Sequence, residues 1–274
     1  ILQYYTDGNA RSFVFFRTGV LFEKYNKVIE EEEFAAKLTE FNIPLDKKIL
    51  FAIGRATPMK GQDIVVNVFI ELYKTRKDIH LVMLAPDSLE AGGNSDYFRM
   101  FLDRIRAAGI EDAVTIIDTF ESELPEYIYK WKNTAIVFCL SRFDFKPLIP
   151  MELRLVSRSA IVLASNLGGF VEQINDGIDG FLVDLVEPEK WRIANLDEMV
   201  SKARAILNLS FLERQKIIIE GRVKVLAEYD FTFNFFDFLK EMFKFNVDYN
   251  IREELERAKI ISSLFLQRKI LDSV

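Results

Sequence analysis

Two carboxylates and two cations stand at spacings suited to gripping a phosphorylated, polyhydroxylated ligand. Asp144 and Glu152 lie eight residues apart in SRFDFKPLIPMEL, around a junction where a loop gives way to a helix. Carboxylate oxygens accept hydrogen bonds from vicinal hydroxyls, which is the chemistry of ribose and hexose recognition. Arg55 and Lys60 lie in GRATPMKG, directly after an apolar run. The arginine through its fork and the lysine as a point charge can together neutralise a diphosphate. Gly54 and Gly61 leave room for close approach of a ligand. Each motif also has a plainer reading: solvated loop cations in the first case, an Asp cap and a surface Glu in the second.

A helix beginning within Pro147–Met151 would turn both carboxylates toward a ligand and offer free backbone N–H groups to phosphate. Pro147 and Pro150 are tolerated there because first-turn N–H groups lack helical partners. Each proline also deletes a donor, so Leu148 and Ile149, with Lys146 nearby, remain for an anion. Further on, Gly168-Gly169-Phe170-Val171-Glu172 reads as the glycine-rich start of a helix, where Glu172 equally serves as a partner of the helix dipole. DGIDG, Asp176–Gly180, reads as a helix exit and turn without chemistry.

Several chemistries are excluded. The chain has one histidine, His80, and one cysteine, Cys139. No Ser/His/Asp or Cys/His triad can be built from them, and no Asp-x-Asp pair or His/Cys cluster points to a metal, so no metal cofactor is expected. A GxGxxG fingerprint and a Walker loop are both missing from the sequence. Cys139 sits in the apolar run AIVFCL and is expected to be a buried core thiol.

The elements that must position these residues alternate. Lys48–Gly54, His80–Ala85, Ala113–Ile117, Thr134–Leu140, Ala160–Ser165 and Gly180–Asp184 read as strands; Gln62–Thr75, Tyr97–Ala108 and Leu124–Lys130 read as helices between them. Continuous β-branched runs indicate strands covered on both faces. Strand–helix alternation implies an α/β fold, a Rossmann-like, doubly wound parallel sheet, and such sheets bind ligands at the carboxyl ends of their strands. The rest is helical: Leu196–Asn208, Ser210–Glu228, Phe233–Phe245 and Ile251–Leu271. Residues 1–47 read as a less regular lead-in and connection, with a helix opening at Glu30–Glu33. Residues 48–246 form the ligand-binding domain, and 247–274 a terminal amphipathic helix that packs on a neighbouring surface.

Half of the residues are apolar, enough for a sizeable core, and the net charge of −6 argues against a general nucleic-acid binder. No apolar run is long enough to span a bilayer, and no signal peptide is evident. The chain opens on Ile1 rather than Met, which suggests a piece of a longer protein.

Taken in order, the motifs resemble the C-terminal, donor-binding domain of a GT-B glycosyltransferase of the retaining group 1 type, family 4. FRTGVLFEKY is similar to the family's "PNGVD…F", with Gly19 and Val20 matching. GRATPMKG resembles "GR…KG", and SRFDFKPLIPMEL resembles "SR-x-E-PFG-x-x-x-LEA". NLGGFVEQINDGIDGFLV resembles "GG-x-x-E-x-x-x-DG-x-x-G-x-L-V". The resemblance covers roughly residues 16–245.

It implies a hexosyltransferase that takes a nucleoside-diphosphate sugar such as a UDP- or GDP-hexose, with no cofactor and no metal. Arg55 and Lys60 would hold the donor diphosphate, Asp144 would contact the donor sugar, and Glu152 the ribose. Thr119 and Phe120, after the third strand, would border the base; Gly54, Lys146, Leu148 and Ile149 would complete the donor site. The acceptor would be a glycan, a lipid or another hydroxyl compound, as in polysaccharide biosynthesis. The acceptor half would precede this one, so the fragment alone would be inactive, and Ile260, Ile261, Leu264 and Phe265 of the last helix would face that half. A cytoplasmic location, with peripheral contact at the inner membrane face through the other half, follows. Asp144 stands where the family has Glu, Lys146 where it has an aromatic residue, Pro147 where it has Gly, and Leu153 where it has Ala. These departures motivate a second expectation: a catalytically degenerate nucleotide-sugar-binding or interaction module. A non-hydrolysing sugar-nucleotide epimerase is a third, for which no catalytic base is evident.

Overall fold

The computed structural model describes residues 2–6, 9–14, 19–25, 27–87, 94–185 and 195–243, with side chains for 19–25, 27–87, 94–185 and 195–237. Two compact units share the chain: residues 19–230 form one, and the two ends, 1–18 and 231–274, the other.

In the larger unit a six-stranded sheet is built from β3 (Lys48–Ile53), β4 (Ile79–Leu84), β5 (Val114–Ile117), β6 (Thr134–Cys139), β7 (Ile161–Ser165) and β8 (Phe181–Val183), in the order β5-β4-β3-β6-β7-β8. Every pairing is parallel. The doubly wound parallel sheet is therefore present, and each expected strand lies within a residue of its place. The chain winds outward from β3 to β5, then crosses back to β6 and winds outward to β8. The reversal of direction falls between β3 and β6, where a crevice opens outside the carboxyl ends of the strands.

Successive strand side chains face opposite ways, and the two faces are buried separately. Leu50, Leu81, Met83, Ile136 and Phe138 join one core, against α2 (Gln62–Tyr73), α3 (Ser95–Ala107) and α7 (Leu196–Asn208), through Val65, Phe69, Phe101 and Met199. Ile49, Phe51, Val82 and Val137 join the other, against α1 (Glu31–Glu40), α4 (Leu124–Lys130) and α5 (Ile149–Val156), through Phe34, Leu38, Ile128 and Met151. Both faces being covered is why the strands carry unbroken apolar runs.

Local signals set the helix ends. Asn94 accepts from the Tyr97 N–H and starts α3 at Ser95, two residues earlier than its apolar pattern suggests. Ser210 and Glu213 form a reciprocal capping box at the head of α8 (Phe211–Glu228). A short helix α6 (Phe170–Gln173) follows Gly169, as the glycine-rich start predicts. The Val20 N–H donates to the Tyr229 carbonyl at 2.8 Å, tying the beginning of the larger unit to its end.

In the smaller unit β1 (Leu2–Thr6) and β2 (Asn9–Val14) pair as an antiparallel hairpin, with α9 at Phe231–Phe243. The expectation of an irregular lead-in misses this hairpin. The Asp7-Gly8 dipeptide between the strands is its sequence signal. The terminal helix expected at Ile251–Leu271 lies outside the described residues.

Candidate functional site

Three loops converge at the reversal point, those after β3, β6 and β7, and backbone contacts hold them together. Gly61 has φ +70°, and a Cβ there would lie 2.0 Å from the Leu140 carbonyl oxygen, so the first loop rests directly on the end of β6. Gly168 has φ +56°, and its Cβ would meet the Asp144 carbonyl at 2.3 Å; the Gly169 N–H donates to that same carbonyl at 2.9 Å. The glycine pair thus positions the backbone of Asp144, a role beyond that of helix opener.

Side chains add a clamp. Arg142 makes a two-pronged ion pair with Asp63, both bonds 2.7 Å, and donates to the Pro58 carbonyl at 2.7 Å; its N–H donates to the Met59 carbonyl at 2.8 Å. Tyr97 donates its hydroxyl to Asp63 at 2.6 Å. Burial alone would raise the Asp63 pKa, but the hydrogen bonds from Arg142 and Tyr97 and the charges of Arg142 and Arg104 outweigh it and hold the carboxyl below its ordinary value. One arginine therefore grips the loop before Lys60 while standing two residues from Asp144.

The outcome is contact between two residues 84 positions apart: Lys60 Nζ donates to Asp144 Oδ2 at 2.7 Å, with 24% and 16% of their side chains exposed. Lys60, Asp144 and Ile149 line one narrow cleft, open to solvent, together with Gln62, Ser141 and Pro147. Gly54 abuts Lys60, whose stem would lie 3.3 Å from a Cβ at that glycine. Arg55, Thr119, Phe120, Lys146 and Leu148 are exposed on the surrounding loops and do not line the cleft. Leu148 caps α5, and the N–H groups of Leu148 and Ile149 have no backbone acceptor among the described residues.

Glu152 is half-buried on α5 and faces Tyr25. Burial first, then the neighbouring Glu152, pushes the Tyr25 phenol well above its ordinary pKa, so it stays protonated beside that carboxylate. Tyr25 is one of three residues whose part sequence reasoning missed; Gln62, whose amide donates to the Gly54 and Arg55 carbonyls, and Arg142 are the others. Arg142 carries a signal in the SR that opens its motif; nothing in the sequence marks Tyr25 or Gln62. Cys139 is buried and its thiol is pushed up by that burial, in keeping with a core role. His80 donates Nε2–H to Thr115 Oγ1 at 2.9 Å, because the threonine hydroxyl is itself spent on the Asn42 carbonyl. DGIDG is structural: Asp176 accepts from the Leu182 N–H, and buried Asp179 pairs with Arg154 at 3.1 Å.

Known proteins give this arrangement a context. The chain is 24% identical over 175 residues to the D-inositol 3-phosphate glycosyltransferase of Segniliparus rotundus, covering 63% of this chain and 37% of that protein. It is 25% identical over 150 residues to the lipopolysaccharide 1,2-N-acetylglucosaminetransferase of Salmonella typhimurium, covering 54% and 38%. The chain thus spans less than two-fifths of the length of either relative. Among solved structures, HepE from Anabaena in complex with UDP and glucose matches at a TM-score of 0.68 and 14% identity, over 84% of this chain and 56% of that one. The C-terminal domain of the group 1 family glycosyl transferase LpcC from Francisella tularensis matches at a TM-score of 0.60 and 20% identity, over 77% of this chain and 98% of that one. The fold is that of a GT-B Rossmann-like domain. Residues 21–203, which hold all three converging loops, match the model for "Glycosyl transferases group 1", and the chain belongs to that family.

Proposed function

We propose that this chain is the donor-binding half of a retaining hexosyltransferase that uses a nucleoside-diphosphate sugar. The observation that carries this reading is the Lys60–Asp144 pair at the reversal point of the sheet, a cation for phosphate and a carboxylate for hydroxyls in one cleft. Arg55, exposed on the same loop outside the lining of the cleft, would add a second cation for the diphosphate. As the sugar–phosphate bond breaks, negative charge grows on the leaving diphosphate, and fixed cations stabilise that charge more than they stabilise the bound donor. Asp144 would meet the sugar hydroxyls and Glu152, beside Tyr25, the ribose. Thr119 and Phe120 follow β5, two strands from β3, a separation of about 10 Å that suits a base at the far end of an extended nucleotide. HepE, described with UDP and with UDP-glucose, supports a nucleotide sugar as donor. The acceptor half would lie in the part of the relatives that this chain does not span, and the acceptor would be a hydroxyl compound such as a glycan or lipid. No helix among the described residues is long and apolar enough to cross a membrane.

A second reading, a module that binds nucleotide sugar without turning it over, is favoured by the same ion pair: Lys60 is already engaged, and Pro147 removes a donor from the loop. Titration calorimetry with UDP-glucose and GDP-mannose tests the donor site. Binding by the unaltered chain, weakened at least about tenfold in Arg55→Ala and Lys60→Ala, is expected; such a loss is about 1.4 kcal/mol. Unchanged affinity in both variants would remove the site assignment. Turnover by the full-length protein separates enzyme from module.

A further inference from the structure

Gln62 is the one residue of the cleft whose buried polar atom is left unanswered. It opens α2 directly after Gly61, and its side chain turns back toward the loop it follows. The amide nitrogen donates to the Gly54 carbonyl at 2.7 Å and to the Arg55 carbonyl at 2.8 Å. Two acceptors on one side fix the orientation of the amide, because only the nitrogen can face them. The amide oxygen is thereby directed away from the loop backbone. The residue is 3% exposed, and Oε1 has no hydrogen-bond partner among the described residues. Gln62 lines the same cleft as Lys60 and Asp144.

The chemistry of the missing partner follows from the atom. An amide oxygen accepts hydrogen bonds and gives none. A diphosphate at neutral pH is likewise acceptor-only, so it cannot satisfy Gln62. The lysine ammonium of the cleft is held by Asp144. The partner must bring its own O–H or N–H: an ordered water can do so in the free chain, and in a bound nucleotide sugar the groups beyond the diphosphate that can replace it are sugar hydroxyls.

We infer that Gln62 is a recognition residue for the sugar portion of the donor, its Oε1 accepting a hydrogen bond from a sugar hydroxyl while its amide nitrogen shapes the loop that meets the diphosphate. This rests on the donor-binding reading above and adds to it a residue that separates nucleotide sugar from free nucleotide. A buried acceptor left unpaired disfavours any ligand that lacks the matching donor, which is how polar sites discriminate by presence or absence of one hydroxyl.

The test is a ratio. UDP and GDP, together with UDP-glucose, UDP-galactose, UDP-N-acetylglucosamine and GDP-mannose, are titrated into the unaltered chain, into Gln62→Met and into Gln62→Lys. The methionine keeps the length and loses both functions; the lysine keeps donors for the Gly54 and Arg55 carbonyls and loses only the acceptor. The unaltered chain is expected to bind its preferred nucleotide sugar at least tenfold more tightly than the matching nucleotide. In both variants that preference falls about tenfold, whatever happens to the nucleotide alone. Should Gln62→Met fail to fold, the lysine variant decides. Equal weakening of nucleotide and nucleotide sugar would make Gln62 a loop holder only and overturn the inference, as would an unaltered preference in Gln62→Lys or a parent chain that binds nucleotide without preferring its sugar. Binding of neither nucleotide nor nucleotide sugar by the parent chain would overturn the donor reading itself, and this inference with it.

Discussion

Lys60 and Asp144 neutralise each other across 2.7 Å, so the cleft holds its phosphate-seeking cation and its hydroxyl-seeking carboxylate as a closed pair. A diphosphate must compete with Asp144 for the ammonium. Asp144→Ala is therefore expected to raise affinity for UDP alone several-fold while lowering affinity for the nucleotide sugar, since the freed lysine gains and the sugar contact is lost. Calorimetry with both ligands reads the two signs. A fall in affinity for UDP alone would mean that the carboxylate positions Lys60 rather than competing for it.

The Asp63–Arg142 pair is nearly fully buried, with 7% and 8% of the two side chains exposed. Removing one member of such a pair leaves an uncompensated charge, typically at a loss of about 3–5 kcal/mol. Asp63→Asn is expected to lose stability on that scale at neutral pH, by urea unfolding. Because the Asp63 carboxyl is held below its ordinary value, its contribution is present above about pH 4 and lost as pH falls through its folded-state value. The gap between parent and variant should accordingly narrow in acid; a constant gap would place the loss elsewhere.

His80 is the one histidine of this chain and it takes up its proton late. Burial, then the charge of Lys47, lowers its pKa to about 4 from an ordinary 6.5. The unfolded chain takes up this proton first, so stability should hold above about pH 6.5 and fall as pH drops toward 4. Two to three units correspond to as much as about 3 kcal/mol. A single imidazole resonance shifting near pH 4 is the expected NMR signature, and a midpoint near 6.5 would contradict the burial argument.

Gly61→Ala would set a Cβ 2.0 Å from the Leu140 carbonyl and impose a left-handed backbone on an L-residue. Overpacking and the unfavourable φ together suggest a loss of about 2–5 kcal/mol. Gly177→Ala is the control, with φ +76° but nothing within 4 Å of its Cβ; it should show only the backbone part. Equal losses in the two denaturation curves would argue that the contact with β6 is relaxed at no cost.

Six strands and most helices were legible because their signals are local. Unbroken β-branched runs mark strands covered on both faces, and Leu196–Asn208 and Leu124–Lys130 fall on the residues that the apolar pattern marks. The hairpin at the N-terminus has its signal in Asp7-Gly8, but the flanking residues lack the clear apolar–polar alternation that marks a strand pair. The candidate residues could be gathered in advance; their mutual contacts could not. Lys60 with Asp144 and Asp63 with Arg142 join positions about 80 apart, and the contact of Tyr25 with Glu152 spans more. Such pairings depend on which strands become neighbours. The unanswered oxygen of Gln62 was invisible for a further reason: it exists only once the Gly54 and Arg55 carbonyls have claimed the other end of the amide.

Gly61 on Leu140, and Gly168 and Gly169 on the backbone of Asp144 and Phe145, join the three loops by main chain beneath the side-chain clamp of Arg142. Phe143 and Phe145 beside them are exposed. The fold therefore divides its mutational tolerance sharply. A handful of glycines cannot change without moving the crevice, whereas the neighbouring rim is free to drift. A lineage of such domains can acquire new ligand preferences by exchanging rim residues over an unaltered frame.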